Sequence, residues 1–126
     1  MIAADTILVV EPLLSFREVI CGILRDEGYE ILSASTGKEG VSYAIESRPD
    51  VIVFSLTLPD MHGREFIETL QSNPELADII TVMLYGTGKL SRENHDVWLS
   101  AYDALSKPFS ADELICTISA LLKRRS

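Results

Sequence analysis

Val51-Ile52-Val53-Phe54-Ser55-Leu56-Thr57-Leu58-Pro59-Asp60-Met61-His62-Gly63 is the stretch that decides the fold. Four of its first five residues are β-branched or aromatic, which reads as a short strand buried on both faces. Pro59 and Gly63 then break the run and place a loop directly after the strand. A strand of this kind belongs in a sheet covered on both faces.

Moving outward, the same alternation of apolar run and helical period recurs along the chain. Thr6 to Val10 reads as a first buried strand, and Phe16, Val19, Ile20, Ile23 and Leu24 mark one face of the helix after it. Glu30 to Ala34 makes a second strand, followed by a helix with Val41, Ala44 and Ile45 inward. Val51 to Ser55 is the third strand, and Phe66, Ile67 and Leu70 face in from the next helix. Ile80 to Leu84 is the fourth strand, with a weaker helix over about 91–100. Ala104 to Ser106 is a short fifth strand before a last helix carrying Leu114, Ile115, Ile118, Leu121 and Leu122.

Three helix starts carry a capping box, in which a hydroxyl and a carboxylate satisfy each other's orphan amides: Ser15 with Glu18, Thr36 with Glu39, and Ser110 with Glu113. Gly28 stops the first helix just before the second strand. Five strands alternating with five helices imply a parallel sheet with helices on both faces, and right-handed crossovers restrict its topology.

Bulk composition narrows the function classes. At 126 residues, 47% hydrophobic and 24% charged, residues 1–126 form one domain with its own core, without linker, repeat or low-complexity stretch. It is expected to be either a complete small protein or a domain excised from a longer one. A net charge of -8 argues against direct binding to nucleic acid or an anionic membrane. The one basic cluster, Lys123-Arg124-Arg125, suits the last turn of a helix. Cys21 and Cys116 match no metal-ligand spacing and read as free thiols in a reducing cytoplasm. No apolar run approaches the roughly 18 residues of a membrane span.

Leu58-Pro59-Asp60-Met61-His62-Gly63 and Ser106-Lys107-Pro108-Phe109, supported by Arg48-Pro49-Asp50-Val51 and the stretch from Asn73 to Asp78, carry a resemblance covering Ile7 to about Lys123. The chain resembles the receiver domains of response regulators in two-component signalling. The resemblance implies a flavodoxin-like α/β fold: a doubly wound five-stranded parallel sheet of order 2-1-3-4-5, with its site at the strand C-termini. In that family an aspartate ends the third strand and accepts a phosphoryl group, and two acidic residues after the first strand help it hold Mg2+. Here the acceptor position holds Ser55, the first acidic position holds Glu11, and the second holds Pro12, which has no side-chain ligand. The hydroxyl residue ending the fourth strand is replaced by Tyr85, and the aromatic switch position by Ala104. Only Lys107, which in the family contacts the phosphoryl oxygens, and Glu11 keep the right charge.

A serine hydroxyl neither binds a metal by charge nor attacks without activation. One carboxylate left of three makes a Mg2+ site unexpected, with Glu11 the sole remaining ligand candidate. The reading is therefore a degenerate receiver with no phosphoacceptor, no cofactor and no enzymatic activity, acting in the cytoplasm as a phosphorylation-independent interaction module. Its expected partners are a histidine kinase, another receiver or an output protein, and a homodimer is open to it. Lys107 either pairs with Glu11 or stands solvated; Tyr85 either fills the space over Ser55 or points outward. Trp98 and Tyr102 are the candidate partner surface, or else an extension of the core.

Two other classes compete with this reading. One is a receiver with an unconventional acceptor, Asp60 or Ser55, modified in the presence of Mg2+. The other is a small doubly wound enzyme or ligand binder, which lacks a Gly-rich fingerprint after the first strand. Ser55, Asp60 and His62 are too close in sequence, and lack the Gly-x-Ser-x-Gly elbow, for a hydrolase triad. His95 reads as a solvated surface residue, and Gly86-Thr87-Gly88-Lys89 as a turn rather than a phosphate loop.

Overall fold

The structure is a computed structural model and describes residues 4–86 and 101–125. Its elements run β1 (Thr6–Val10), α1 (Leu14–Asp26), β2 (Glu30–Ala34), α2 (Gly37–Ser47), β3 (Val51–Ser55), α3 (Gly63–Gln71), β4 (Ile80–Gly86), β5 (Asp103–Lys107) and α4 (Ala111–Arg125). All five strands are parallel, in the order β2-β1-β3-β4-β5. The helix expected over 91–100, with His95 and Trp98, lies outside the described residues.

The pleat sorts each inner strand between two cores. Leu8, Val10, Ile52, Phe54 and Met83 meet Ala44 of α2 and Phe66, Ile67 and Leu70 of α3 on one face. Ile7, Val9, Val51, Val53 and Val82 meet Ile20 and Leu24 of α1 and Leu114 and Ile118 of α4 on the other. A one-residue slip of β1 or β3 would exchange these two sets, so the register is held from both sides.

Two helix faces differ from their apolar stripes. Val19 is exposed and the floor of α1 runs through Ile20, Cys21 and Leu24 instead. Ile45 is exposed as well, and α2 buries Gly37, Gly40 and Ala44. A Cβ on Gly40 would lie 2.8 Å from Val10 Cγ2, so α2 approaches the sheet through small residues and leaves Ile45 no inward place.

The caps divide in the same way. Thr36 Oγ1 accepts from the Glu39 amide at 3.1 Å while Glu39 reaches back to the Ser35 amide at 2.9 Å. Ser110 and Glu113 form the reciprocal box at 3.1 and 3.3 Å. Ser15 caps nothing: α1 begins one residue earlier, at Leu14, and its N-cap Leu13 has no side-chain cap bond. The carboxylate of Glu11 takes up the Leu13 amide instead, at 2.9 Å. Gly28 follows α1 with φ 94°, a conformation glycine adopts without strain. Strands β4 and β5 extend past their expected ends, to Gly86 and Lys107, and pair through Tyr85–Ser106 and Gly86–Lys107. Among the described residues, no helix is long and apolar enough to cross a membrane.

Candidate functional site

Parallel strands deliver whatever follows their last residues to one edge of the sheet. Here β1 delivers Glu11, β3 delivers Ser55 and β5 delivers Lys107, and the three side chains meet. Ser55 Oγ donates to Glu11 Oε1 at 2.5 Å, and Lys107 Nζ reaches the same oxygen at 2.8 Å. Lys107 Nζ also lies 3.5 Å from Ser55 Oγ and 4.8 Å from the centre of the Phe16 ring. The Phe16 ring packs in turn on Phe109, with centroids 5.6 Å apart. Of the two readings left open for Lys107, pairing with Glu11 or standing solvated, the structure shows the pair.

Burial makes the arrangement consequential. The Glu11 side chain is 2% exposed and that of Lys107 31%. Removing a carboxylate from water costs several kcal/mol unless charge and hydrogen bonds replace the water. For Glu11 they do: Oε1 takes the ammonium and the hydroxyl, and Oε2 takes the Leu13 amide. The Glu11 backbone is fixed as well, its amide donating to Ala34 O at 3.0 Å and its carbonyl accepting from Arg17 Nη1 at 2.8 Å.

The other expected pocket positions stand apart from this cluster. Pro12 is exposed. Tyr85 is half-buried and packs with Ala104 on the core cluster that contains Phe54 and Met83. Tyr102 is 55% exposed just before β5, its amide held by Thr81 O at 3.0 Å. Trp98, its companion in the candidate partner surface, lies outside the described residues.

The loop after β3 has its own assignments. The Asp60 carboxylate accepts the amides of Gly37 and Lys38, at 2.8 and 2.9 Å, and so caps α2 from across the loop. These amide hydrogen bonds, that of Lys38 foremost, hold its carboxyl below the usual aspartate range. His62 is the N-cap of α3, and its Nδ1 accepts from the Arg64 amide at 3.0 Å. Ser55, Asp60 and His62 are therefore committed to three different partners. Gly63 ends the loop where its amide donates to Leu56 O at 2.7 Å; a Cβ there would sit 2.9 Å from Leu56 Cα. Cys21 is buried, which pushes its thiol pKa up, and Cys116 is exposed; neither joins a disulfide.

Phe16, Arg17 and the capping role of Asp60 were not singled out from the sequence. Phe16 counted only as one apolar residue of a helix stripe, and nothing in a lone Pro-Asp pair points to a helix start more than twenty residues earlier.

This donor set does not fit a divalent cation. Mg2+ takes six oxygen ligands in near-octahedral geometry. The cluster offers one carboxylate, with both oxygens engaged, and one neutral hydroxyl. Among the described residues no three His, Cys, Asp or Glu side chains stand together as a metal site.

Comparison with known proteins agrees with the fold. Residues 7–119 match the family described as the response regulator receiver domain. The phosphate regulon transcriptional regulatory protein PhoB of Klebsiella pneumoniae is 33% identical over 123 residues, covering 98% of this chain and 54% of that protein. The probable transcriptional regulatory protein TcrX of Mycobacterium tuberculosis is 37% identical over 122 residues, covering 94% and 50%. The chain thus spans about half the length of the curated relatives it matches. Among solved structures, the chemotaxis response regulator CheY4 of Vibrio cholerae superposes with a TM-score of 0.85 at 28% identity, covering 94% of this chain and 98% of that one.

Proposed function

The chain belongs to the response regulator receiver domain family, and from that premise we propose that it serves two-component signalling as a protein-interaction module that works without phosphorylation. One observation carries this reading: Glu11 Oε1 binds Lys107 Nζ and Ser55 Oγ together inside a buried cluster. The ammonium supplies the positive charge the carboxylate needs, and the hydroxyl that stands at the acceptor position spends its proton on that same carboxylate. The one carboxylate within reach of that hydroxyl is itself paired with the ammonium, which makes it a poor base for activating it. With Pro12 contributing no ligand, Mg2+ has no part in the site, and the domain has no enzymatic activity of its own.

The partners that fit are signalling proteins of the cytoplasm: a histidine kinase, a second receiver or an output protein. Exposed Tyr102 is the described part of the surface that would meet them. The chain's net charge of -8 leaves direct contact with nucleic acid to other proteins or domains.

Intact-mass measurement after incubation with acetyl phosphate and Mg2+, alongside a beryllofluoride titration followed by NMR, tests the reading. An unchanged mass and unmoved resonances for Glu11, Ser55 and Lys107 are expected. A phosphoryl adduct would overturn it, and its position would identify Ser55, Asp60 or another residue as an unconventional acceptor.

A further inference from the structure

The outward face of α1 holds an unexplained glycine. Gly22 stands in the middle of a thirteen-residue helix, where glycine is weaker than alanine. A Cβ built on it meets nothing within 4 Å among the described residues, so packing against them gives no reason for its absence. Beside it Val19 is 56% exposed, and at the start of the helix Leu14 is 56% exposed.

The charges around Gly22 are ordered. Glu18 and Arg25 are seven residues apart, two helical turns, and so lie on one flank of the exposed face. Both line a groove of about 440 Å³ between α1 and β2, with Leu14 and Ser33. Neither forms a salt bridge among the described residues. When two copies of a helix lie antiparallel about a two-fold axis, residues of one flank meet the same flank of the other copy, with summed residue numbers constant. Setting Glu18 against Arg25 of a second copy sets Arg25 against Glu18 of that copy as well. The midpoint falls between residues 21 and 22, so Gly22 lies at the crossing, where a missing side chain lets the two backbones approach.

We propose that this face of α1 is a docking surface for a second copy of this chain, paired antiparallel about a two-fold axis near Gly22. The charge order is self-complementary, which is what a second copy requires and what an unrelated helix would meet only by chance. Thirteen residues make a small interface, below the size of standard stable complexes, so the dimer is weak and concentration-dependent. This inference is independent of the phosphorylation reading, because no residue of the Glu11–Ser55–Lys107 cluster enters the contact.

Sedimentation velocity over a range of protein concentration tests it. The wild-type mass is expected to rise toward that of a dimer. Glu18→Arg alone and Arg25→Glu alone each place like charges across the axis twice and should raise the dissociation constant by roughly tenfold or more. The double variant Glu18→Arg/Arg25→Glu restores both pairs and should return it to near the wild-type value. Gly22→Gln should raise the melting temperature, as a helix former replacing glycine, yet weaken the dimer by at least about tenfold. A wild-type chain that stays monomeric overturns the proposal. So does a dimer indifferent to the single reversals, or a double reversal no tighter than either single.

Discussion

Two carboxylates stand at the same edge of the sheet and behave differently. Glu11, on the floor of the cluster, is 2% exposed and accepts an ammonium, a hydroxyl and one amide. Asp60, on the rim, is exposed and accepts two amides at the N-terminus of α2. Each anchors a helix start: Glu11 takes the Leu13 amide just before α1, and Asp60 takes the first amides of α2. The comparison separates hydrogen-bond count from energetic weight. Burial makes the Glu11 contacts obligatory, because an unmet acceptor there has no water to turn to, whereas Asp60 can exchange an amide for solvent.

The sharpest way to break the comparison is to remove one partner from the floor at a time. Lys107→Met leaves Glu11 buried without a counter-charge and should cost about 2–3 kcal/mol, below the full range for buried pairs because Lys107 is partly exposed. Glu11→Gln leaves the cation instead, and a long, partly exposed lysine can turn its ammonium to water. That change should cost less, about 1–2 kcal/mol, mainly from the misdirected amide at Leu13. Urea denaturation at unchanged slope measures both. If Glu11→Gln proves the costlier, the weight lies in anchoring α1 rather than in compensating a buried charge.

On the rim, Asp60→Ala should cost about 1 kcal/mol, the usual worth of an N-terminal cap. Its pH dependence has a definite sign. The folded carboxyl titrates below its ordinary value of 3.8, so the native state favours the charged form. The stability it contributes is fully present above that ordinary value and is lost as the pH falls through the lower, folded one. The gap between wild type and Asp60→Ala should therefore hold steady at neutral pH and close only in acid below 3.8. A gap that closed between pH values well above this would mean that another group carries the effect.

The sequence made the strands legible because each is a short apolar run, and such runs need no knowledge of their neighbours; their order came only from the family resemblance carried by Leu58 to Gly63 and Ser106 to Phe109. Helix faces were less legible. The periodicity of α2 pointed Ile45 inward, yet contact with the sheet is made by Gly37, Gly40 and Ala44, residues a count of apolar side chains passes over. Val19 failed similarly, since a stripe of apolar residues does not say which of its edges the sheet will cover. In the cluster, charge alone identified Glu11 and Lys107 as candidates to pair. That Glu11 would displace Ser15 as the stabiliser of the α1 start could not be read from either motif, because it depends on where β1 places the carboxylate. The cap that Asp60 supplies to α2 was hidden for the same reason: it joins residues 22 and 23 positions apart.

The smallest effect concerns a contact that looks strongest on distance alone. Arg48 Nη2 and Glu75 Oε2 are 2.7 Å apart, closer than Lys107 and Glu11 at 2.8 Å, but both side chains are 60% exposed. If burial rather than separation sets the weight of a charge pair, a double-mutant cycle of Arg48→Ala and Glu75→Ala should give a coupling below about 0.5 kcal/mol, reduced further by added salt. Arg48 also ends α2 with φ 45°, a left-handed conformation that glycine tolerates better than arginine. Arg48→Gly therefore loses a weak pair and gains an unstrained cap, and should leave stability unchanged or raise it by up to about 1 kcal/mol. A loss of the size expected for Lys107→Met would break the comparison from its weak end, showing that exposed contacts here carry weight that burial does not explain.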